Sequence, residues 1–261
     1  MNIIVCIKQV PETTNVKINE ETNTLIRSGT KGIINPFDMY AIEEGLRIKG
    51  KFGGKVTAIS MGPPQADEAL REAVSYGVDD AVLLSDHAFA GADTLATSRT
   101  LAKGIEKMGC FDLIICGKQA IDGDTAQVGP GVAEKLDIPF VAFVRKIRKI
   151  SDHTLEVERM MDDGHDILTV ATPALITVVK EINEPRVPSL RGKMKAKSIN
   201  IPVWGVSDLE IYEKWVGLKG SATQVIKIFT PKRDGKREML DGSVEEQADL
   251  LINKLSDLKV I

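Results

Sequence analysis

The sequence is poor in the side chains that most often build metal centres and disulfide frameworks. It contains three cysteines and three histidines among 261 residues. Cys6, Cys110 and Cys116 show no C-x-x-C spacing, and two of them lie inside apolar runs, so neither a disulfide framework nor an iron–sulfur site is expected. None of the histidines stands in a metal-binding spacing. We therefore expect a protein of a reducing compartment, the cytoplasm, without a metal site.

Long apolar runs and a large net charge are also missing. No apolar run approaches the roughly 20 residues that cross a bilayer, and the N-terminus lacks a basic region followed by a longer apolar one. The formal net charge of -3 argues against general binding to nucleic acid. We expect a soluble protein that neither inserts into a membrane nor binds nucleic acid. A chain of 261 residues is long enough for one large domain or for one and a half.

Catalytic arrangements of acids, bases and nucleophiles are absent from the sequence. The carboxylate pairs Asp79-Asp80 and Asp162-Asp163 stand at turns between elements, where solvated aspartate is the usual explanation. Serine and cysteine candidates have no base nearby in the sequence. These absences are compatible with a protein that holds a redox cofactor, because the cofactor then carries the chemistry.

The most informative segment that is present runs from Gly117 to Gly129. It follows the apolar run Leu113–Cys116, typical of a buried parallel strand, and precedes Val132–Leu136, typical of the body of a helix. Backbone N–H groups at a helix start have no intrahelical partner and attract anions, which indicates a phosphate or ribose site. From spacing alone, an ordinary loop with a turn at Asp122-Gly123 and a helix cap at Asp124 is an equally good interpretation. A β-branched residue at position 123 would resist the turn conformation that Asp122-Gly123 suggests, so Gly123→Val is expected to weaken nucleotide retention.

The first half of the chain alternates short apolar runs with helical periodicity, at the spacing of βαβ units. Asn35-Pro36 is a helix start in its own right, with Asn at the cap and Pro in the first turn. Parallel strands with helices on both faces bind ligands outside the carboxyl ends of the strands, so the polar segments after these strands are expected to share one ligand. The predicted strands are Ile3–Ile7, Val56–Ser60, Ala81–Leu84 and Leu113–Cys116.

The second half differs in character. Four further strands, with a turn at Gly164 and His165, indicate an antiparallel addition to the sheet edge rather than another βαβ unit. Residues 1–195 are predicted to form the nucleotide-binding domain. Residues 196–261 are predicted to form a C-terminal arm that ends in a helix near Val244–Leu258 and packs on another subunit. The four strands are Phe140–Arg148, Thr154–Met160, Ile167–Ala171 and Leu175–Val179.

Four separated motifs resemble those of electron transfer flavoprotein beta subunits, in that family's order. Ile3–Pro11 resembles the first strand, Ile34–Glu44 the second nucleotide-contacting turn and helix, and Gly117–Gly129 the nucleotide-binding loop. Asn183–Lys197 resembles the partner-docking loop. The resemblance implies an α/β fold with a Rossmann-like, mostly parallel sheet and helices on both faces, similar to the adenine nucleotide alpha hydrolases. It also implies a heterodimer, in which the C-terminal arm packs on an alpha subunit.

The resemblance further implies which residues hold the cofactor. They follow the predicted strands or stand near the helix starts that come next. The implied cofactor-binding residues are Cys6, Asn35, Pro36, Phe37, Asp38, Met61, Gly91, Ala92, Asp93, Thr94, Thr97, Gln119, Ala120, Ile121, Asp122, Gly123, Asp124, Thr125, Ala126, Gln127, Val128 and Gly129.

The identity of the cofactor depends on the stretch Leu84–Thr97. In this family the beta subunit holds either a structural AMP or, in electron-bifurcating members, a second FAD. The stretch resembles the bifurcating members, because a turn at Gly91 and a helix start at Asp93 or Thr94 would supply extra donors for a diphosphate. Carboxylates repel phosphates, so Asp93 taken by itself is best interpreted as a helix cap. The resemblance favours FAD, with AMP as the alternative.

The segment from Arg186 to Lys197 contains five basic residues and no acidic one. Pro185 and Pro188 favour an extended loop, in which Leu190 stands exposed among charged neighbours. The simpler interpretation of this segment is a solvated basic loop. The resemblance instead implies a docking site for an acyl-CoA dehydrogenase, in which Leu190 is an apolar anchor and the basic residues attract an acidic partner. The implied docking residues are Leu190, Arg191, Lys193, Met194 and Lys195.

These features together predict the beta subunit of a heterodimeric electron transfer flavoprotein of the bifurcating type. In that scheme NADH reduces the FAD held by this chain. The electrons then divide between the alpha-subunit FAD, which serves an acyl-CoA dehydrogenase, and a low-potential acceptor, ferredoxin or flavodoxin. A non-bifurcating carrier with a structural AMP is the alternative within the family. An adenine-nucleotide sensor resembling universal stress proteins is the alternative from another class, and it leaves the docking segment and the arm unexplained.

Overall fold

The structure is a computed structural model that describes residues 1–12, 32–226 and 237–261, together with the backbone of two short strands between the first two ranges. The chain divides into two compact units, Met1–Ile226 and Lys227–Ile261. Among the described residues, no helix combines the length and the apolar character needed to cross a membrane.

The described elements alternate strands and helices over the first half of the chain. The strands are β1 (Asn2–Cys6), β2 (Gln9–Pro11), β3 (Ile18–Asn19), β4 (Thr24–Leu25), β5 (Gly32–Ile34), β6 (Lys55–Met61), β7 (Asp80–Leu84), β8 (Leu113–Gly117), β9 (Phe140–Ser151), β10 (Thr154–Met160), β11 (His165–Ala171), β12 (Ala174–Val178) and β13 (Val203–Trp204). The helices are α1 (Pro36–Phe52), α2 (Asp67–Tyr76), α3 (Thr94–Met108), α4 (Val128–Leu136), α5 (Leu190–Ser198), α6 (Gly217–Gly220) and α7 (Val244–Asp257).

A nine-stranded sheet forms the centre of the first unit, in the order β11-β10-β9-β12-β8-β1-β6-β7-β13. The pairs from β9 across to β13 are parallel, whereas β10 is antiparallel to both β9 and β11. This confirms the predicted fold class, a mostly parallel α/β sheet with an antiparallel edge.

Two details of the predicted edge are wrong. β12 does not belong to the antiparallel addition, because it lies between β8 and β9 and is parallel to both. All five residues of β12 are buried, as expected for a central strand covered on both faces. His165 does not lie in a turn either, since it begins β11 and pairs with Met160.

The parallel strands are buried on both faces because helices cover both sides of the sheet. Successive side chains of a strand point to opposite faces. Along β1, Ile3 and Val5 join the core beneath α1 and α2, while Ile4 and Cys6 join the core beneath α3 and α4. The sequence therefore shows β1 as a continuous apolar run rather than as an alternating one.

The strand order reverses at β1. The chain passes from β1 to β6 and β7 on one side, then returns to place β8 and β12 on the other side. In open α/β sheets, ligands bind in the crevice outside the carboxyl ends of the strands at such a reversal. The crevice of this sheet lies beyond Cys6 and Gly117, the last residues of β1 and β8.

Residues 196–226 lie in the first compact unit, although the sequence assigns them to the arm. Within them, β13 pairs with β7 at the sheet edge. The second unit contains α7, which confirms the predicted C-terminal helix. A capping box starts this helix, because Ser243 and Glu246 each accept the backbone N–H of the other. Several apolar side chains of this unit are exposed, namely Leu250, Leu251, Ile252, Leu258, Val260 and Ile261.

Candidate nucleotide-binding site

Asn35 joins the three elements that border the crevice. Its backbone N–H donates to the Lys8 carbonyl, directly after β1, at 2.8 Å. Its side-chain amide donates to the Gln119 carbonyl at 2.8 Å, and its side-chain oxygen accepts the Ile121 N–H at 3.1 Å. Asn35 precedes α1 as predicted, but its side chain forms no cap hydrogen bond. The fully buried amide instead fixes the loop after β8.

The loop between β8 and α4 places its left-handed residues at unexpected positions. Asp124 and Ala126 both have a φ of 53°. Gly123 is not among the residues with positive φ, and a Cβ added there meets no atom within 4 Å. Neither the backbone conformation nor the space at position 123 therefore requires glycine. Aspartate tolerates the left-handed region better than alanine does, and local strain of this kind is concentrated at binding sites.

The two aspartates of this loop already have partners. Lys8 Nζ contacts the two carboxylate oxygens of Asp122 at 2.6 and 2.8 Å. Gln119 Nε2 donates a hydrogen bond to Asp124 Oδ1. Asp124 does not cap a helix, since α4 begins at Val128. The ion pair with Lys8 reduces the repulsion that Asp122 would otherwise exert on a phosphate.

Asp38 lies at the base of the crevice and is 5% exposed. The Lys8 N–H donates to Asp38 Oδ2 at 2.8 Å. β8 comes so close to the start of α1 that a Cβ on Gly117 would lie 2.8 Å from the Asp38 nitrogen. Burial raises the pKa of Asp38 to about 7, although hydrogen bonds from Asn35 and from the Lys8 and Gly117 backbones act in the opposite direction. Asp38 thus ties the ends of β1 and β8 to α1.

The start of α4 has no side-chain cap. Gln127, at the cap position, does not accept a hydrogen bond from the first turn. Its Oε1 accepts instead from Thr94 Oγ1 at 3.1 Å, which joins the starts of α3 and α4. The helices approach closely, since a Cβ on Gly131 would lie 3.0 Å from Ser98 Cβ. The first N–H groups of α4 therefore suit an anionic ligand.

The start of α3, in contrast, is capped by Asp93. Asp93 Oδ1 accepts the Ala96 N–H at 3.0 Å. Asp93 Oδ2 accepts the N–H groups of Ala222 and Thr223 at 2.8 and 2.9 Å, just after α6. Burial acts to raise the pKa of the Asp93 carboxyl, but these hydrogen bonds outweigh it and lower the pKa. The helix-cap interpretation of Asp93 is therefore confirmed, and the carboxylate also holds the chain that follows α6.

Neighbouring residues keep α3 and α6 together. Gly91 has a φ of 72°, and a Cβ there would lie 3.3 Å from Leu218 Cβ. The Leu218 N–H donates to the Ala90 carbonyl at 2.9 Å. Ala92 and Thr97 are half-buried on either side of the cap. The turn at Gly91 thus serves a contact within the chain.

Cys6 and Met61 end β1 and β6. Cys6 lies opposite Cys116 in the β1–β8 register, and both are buried. A hydrogen bond with Cys6, together with burial, raises the pKa of the Cys116 thiol well above its usual range. Met61 is half-buried against the core on the α3 side. The structure thus brings the predicted residues that follow β1, β6, β7 and β8 to one edge of the sheet.

Two lysines at this edge are not among the predicted site residues. Lys8 follows β1 and forms the ion pair with Asp122. Lys118 follows β8, and its Nζ lies 5.8 Å from the ring centre of Phe37 and 5.7 Å from that of Phe143. Both lysines could have been predicted as site residues, because they come just after the strands that border the crevice.

The predicted docking loop is a helix over most of its length. α5 begins at Leu190, because Ser189 Oγ accepts the Gly192 N–H at 2.9 Å and caps the helix. The expectation of an extended loop is therefore wrong from Leu190 onward. Leu190 and Met194 are 78% and 66% exposed, and their four-residue spacing places them on one face of α5.

The basic residues of this segment divide into two groups. Arg186 donates to both carboxylate oxygens of Glu43 at 2.7 and 3.1 Å, and Lys195 Nζ donates to the Asp79 carbonyl at 2.6 Å. These two residues fasten the segment to α1 and to the turn before β7. Arg191, Lys193 and Lys197 are exposed, and none of them forms a salt bridge with any residue that the structure describes. Only this second group is free to attract a partner.

An apolar groove of about 400 Å³ adjoins α5. Gly192 of α5 packs against Ser75, next to the groove residue Tyr76. The groove therefore lies near α5, although its lining comes from β5, α1, α2 and Pro185. Its lining includes Ile33, Met39, Tyr40, Tyr76 and Pro185.

Comparison with known proteins agrees with this geometry. The electron transfer flavoprotein domain matches residues 22–209, well over half of the chain. The chain belongs to the electron transfer flavoprotein family. It is 50% identical over 262 residues to electron transfer flavoprotein subunit beta of Thermoanaerobacterium thermosaccharolyticum, with 100% of both chains covered.

Two further relatives of this electron transfer flavoprotein chain carry more specific names. The caffeyl-CoA reductase-Etf complex subunit CarD of Acetobacterium woodii is 47% identical over 263 residues, and 100% of each chain is covered. The acryloyl-CoA reductase electron transfer subunit gamma of Anaerotignum propionicum is 44% identical over 268 residues, again with 100% of each chain covered. The predicted family is thereby confirmed. An electron transfer flavoprotein beta subunit transfers electrons, pairs with an alpha subunit and holds a flavin or nucleotide cofactor.

Proposed function

We propose that the site at the strand reversal holds FAD and that this beta subunit takes part in electron bifurcation in the cytoplasm. When bound, FAD would supply hydride-accepting and electron-dividing chemistry, with NADH as the donor and with the alpha-subunit FAD and a low-potential acceptor, ferredoxin or flavodoxin, as the recipients. The residues of this chain bind and orient the cofactor, since the cofactor supplies the redox chemistry.

The observation that carries the proposal is the pair of adjoining helix starts. Thr94 Oγ1 donates to Gln127 Oε1 at 3.1 Å, so α3 and α4 begin side by side. The N–H groups at the start of α4 have no side-chain acceptor from the cap residue. A helix start attracts one phosphate, and two neighbouring starts suit a diphosphate better than a monophosphate. FAD carries a diphosphate, whereas AMP carries a single phosphate.

The loop before α4 supports the same placement. Asp124 and Ala126 are left-handed, whereas Thr125 between them is not. Such alternation turns successive backbone N–H groups toward one side, where they can bind an anion. Lys8 neutralises Asp122 at the edge of this loop. We infer that the phosphates lie between this loop and the start of α4, with the ring systems in the crevice beyond β1 and β8.

A structural AMP is the second candidate, and one observation favours it. The carboxylate of Asp93 caps α3 and also accepts hydrogen bonds from Ala222 and Thr223. This arrangement leaves fewer donors at the start of α3 for a second phosphate. AMP needs only the start of α4.

We further propose that α5 and the apolar groove dock an acyl-CoA dehydrogenase. Leu190 and Met194 supply exposed apolar contacts, and Arg191 and Lys193 supply unpaired positive charge at the rim. An apolar anchor surrounded by charges is a common arrangement at binding hot spots. The names of two relatives link those proteins to a caffeyl-CoA reductase and an acryloyl-CoA reductase, which supports a partner that acts on a CoA ester.

The alpha subunit is proposed to pack on the second compact unit. The exposed apolar side chains of this unit are a surface that a partner would bury. Deletion of residues 237–261 is expected to abolish co-purification with the alpha subunit. An unaltered heterodimer would contradict this assignment.

Coupled electron transfer tests the bifurcation proposal. We expect the heterodimer to reduce ferredoxin with NADH only while the dehydrogenase and its enoyl-CoA substrate are present. An anaerobic optical assay that monitors ferredoxin measures this coupling, and omission of the dehydrogenase is the control. Transfer to the dehydrogenase alone, with no reduction of ferredoxin or flavodoxin, would contradict bifurcation and favour a simple carrier.

A further inference from the structure

Lys118 occupies a distinctive position at the crevice. It follows Gly117, the last residue of β8, and its N–H donates to the Val178 carbonyl of β12 at 2.9 Å. Its Nζ lies 5.8 Å from the ring centre of Phe37, at the start of α1, and 5.7 Å from that of Phe143, in β9. An ammonium group within about 6 Å of an aromatic ring is attracted to the electron-rich ring face. Two rings from different elements thus fix the end of one lysine side chain.

The backbone at Phe143 is strained in order to place its ring there. Phe143 has a φ of 60°, which is a rare conformation for a bulky residue. The β9–β12 register shifts between Ile176 and Val178, so β9 contains a bulge at this point. Thr177 Oγ1 accepts the Phe143 N–H at 3.0 Å and stabilises the bulge. Bulges and left-handed residues that redirect a side chain are concentrated next to binding sites.

The charge of Lys118 has no carboxylate partner among the residues that the structure describes. Lys8 pairs with Asp122 and Lys49 pairs with Asp79, each at 2.6 Å or less from its nearest carboxylate oxygen. Lys118 is half-buried, and the contacts of its ammonium group with the described part of the chain are those with the two rings. A half-buried ammonium retains hydrogen-bonding capacity that a ligand can satisfy.

We propose that Lys118, held between Phe37 and Phe143, donates a hydrogen bond to the acceptor edge of a nitrogen-containing ring of the bound nucleotide. This inference rests on the proposed nucleotide function. The start of α4, which suits the phosphate, lies on the α3 side of the sheet, whereas Phe37 belongs to α1 on the opposite side. A nucleotide bound across the crevice would therefore bring a ring system, rather than a phosphate, to Lys118.

Adenine and isoalloxazine both present such an acceptor edge, and Lys118→Met distinguishes them. The heterodimer is stripped of nucleotide, and its affinities for adenosine, AMP and FAD are measured by calorimetry. If the ring is adenine, all three ligands are expected to bind about tenfold or more weakly, as for loss of a hydrogen bond to a charged group. If the ring is isoalloxazine, FAD alone is expected to bind more weakly, with a changed visible spectrum of the bound flavin.

Two outcomes would overturn the inference. Affinities and spectrum equal to those of the parent would show that Lys118 does not touch the ligand. Weaker binding of AMP with unchanged binding of adenosine would show that Lys118 contacts the phosphate instead. Lys107→Met is the matched control, because Lys107 also lies over a ring, that of Trp204, but at the far end of α3.

A second variant covers the case in which Lys118→Met does not fold. Phe143→Leu removes one of the two rings and keeps the ammonium group, so a smaller loss of the same affinities is expected. The Lys118 inference can be tested even if the FAD proposal fails. A heterodimer that binds AMP at this site, and a single FAD elsewhere, still tests Lys118 through adenosine and AMP.

Discussion

Asp38 makes the stability of the folded protein depend on pH in the direction opposite to that of most aspartates. Burial raises its pKa to about 7 in the folded protein, whereas an unfolded chain has an aspartate pKa of about 3.9. Between these values the folded state keeps a proton that the unfolded state has lost. The contribution of Asp38 is therefore fully present at low pH and is lost as the pH rises through about 7. Between pH 5 and pH 8 this loss amounts to about 3 kcal/mol.

Asp38→Asn removes this titration and isolates its effect. We expect the free energy of unfolding of the variant, minus that of the parent, to increase by about 3 kcal/mol from pH 5 to pH 8, because only the parent loses the contribution of Asp38. Urea unfolding at one-unit pH intervals measures the difference. The exposed Asp152, changed to Asn, is the matched control for loss of a carboxylate. A parent-to-variant difference that is constant over this range, or that changes in the opposite direction, would refute the reasoning.

Three further predictions concern the crevice, the helix cap and the docking helix. Gly117→Ala is expected to lower both the melting temperature and the nucleotide content, because the added Cβ would lie 2.8 Å from the backbone nitrogen of Asp38 in α1. Gly123→Ala is the control, and it is expected to change neither quantity because its Cβ would meet no atom within 4 Å. Asp93→Ala is expected to destabilise the protein by about 1–2 kcal/mol through loss of the cap, and a melting temperature equal to that of the parent would disprove this role. Leu190→Ala is expected to weaken dehydrogenase binding by about 1–3 kcal/mol at unchanged flavin content, while Lys193→Ala mainly slows association at low salt. Stopped-flow reduction of the dehydrogenase at several ionic strengths separates these two effects, and parental kinetics for Leu190→Ala would place the partner elsewhere.

The fold class could be predicted from the sequence because burial on both faces leaves a clear pattern. β1 and β8 are continuous apolar runs followed by polar segments, as parallel strands covered by helices require. The neighbours of β12 could not be predicted, because its apolar run is equally compatible with an edge hairpin and with a central strand. Its place between β8 and β9 depends on long-range pairing.

The approximate position of the candidate site could also be predicted, since it follows from the ends of the parallel strands. The roles of individual residues could not. Asn35 and Asp93 are both typical helix caps in sequence. In the structure, however, the Asn35 side chain forms hydrogen bonds with the loop after β8, and Asp93 also accepts hydrogen bonds from residues 222 and 223. Each of these contacts joins residues more than 80 positions apart in the chain. Local propensity contains no information about such contacts.

The docking segment shows how one residue changes a local prediction. Residues 183–189 lie outside any helix, as Pro185 and Pro188 predict, but Ser189 caps α5, which begins at the next residue. Leu190 and Met194 consequently share a helix face instead of being spaced along a loop.

The central claim is that this chain holds an FAD at the crevice beyond β1 and β8. The most direct measurement is the amount of FAD and AMP released by acid from purified heterodimer, separated by chromatography and related to protein concentration. Two FAD and essentially no AMP per heterodimer are predicted. One FAD and one AMP would contradict the claim, while leaving membership of the electron transfer flavoprotein family intact.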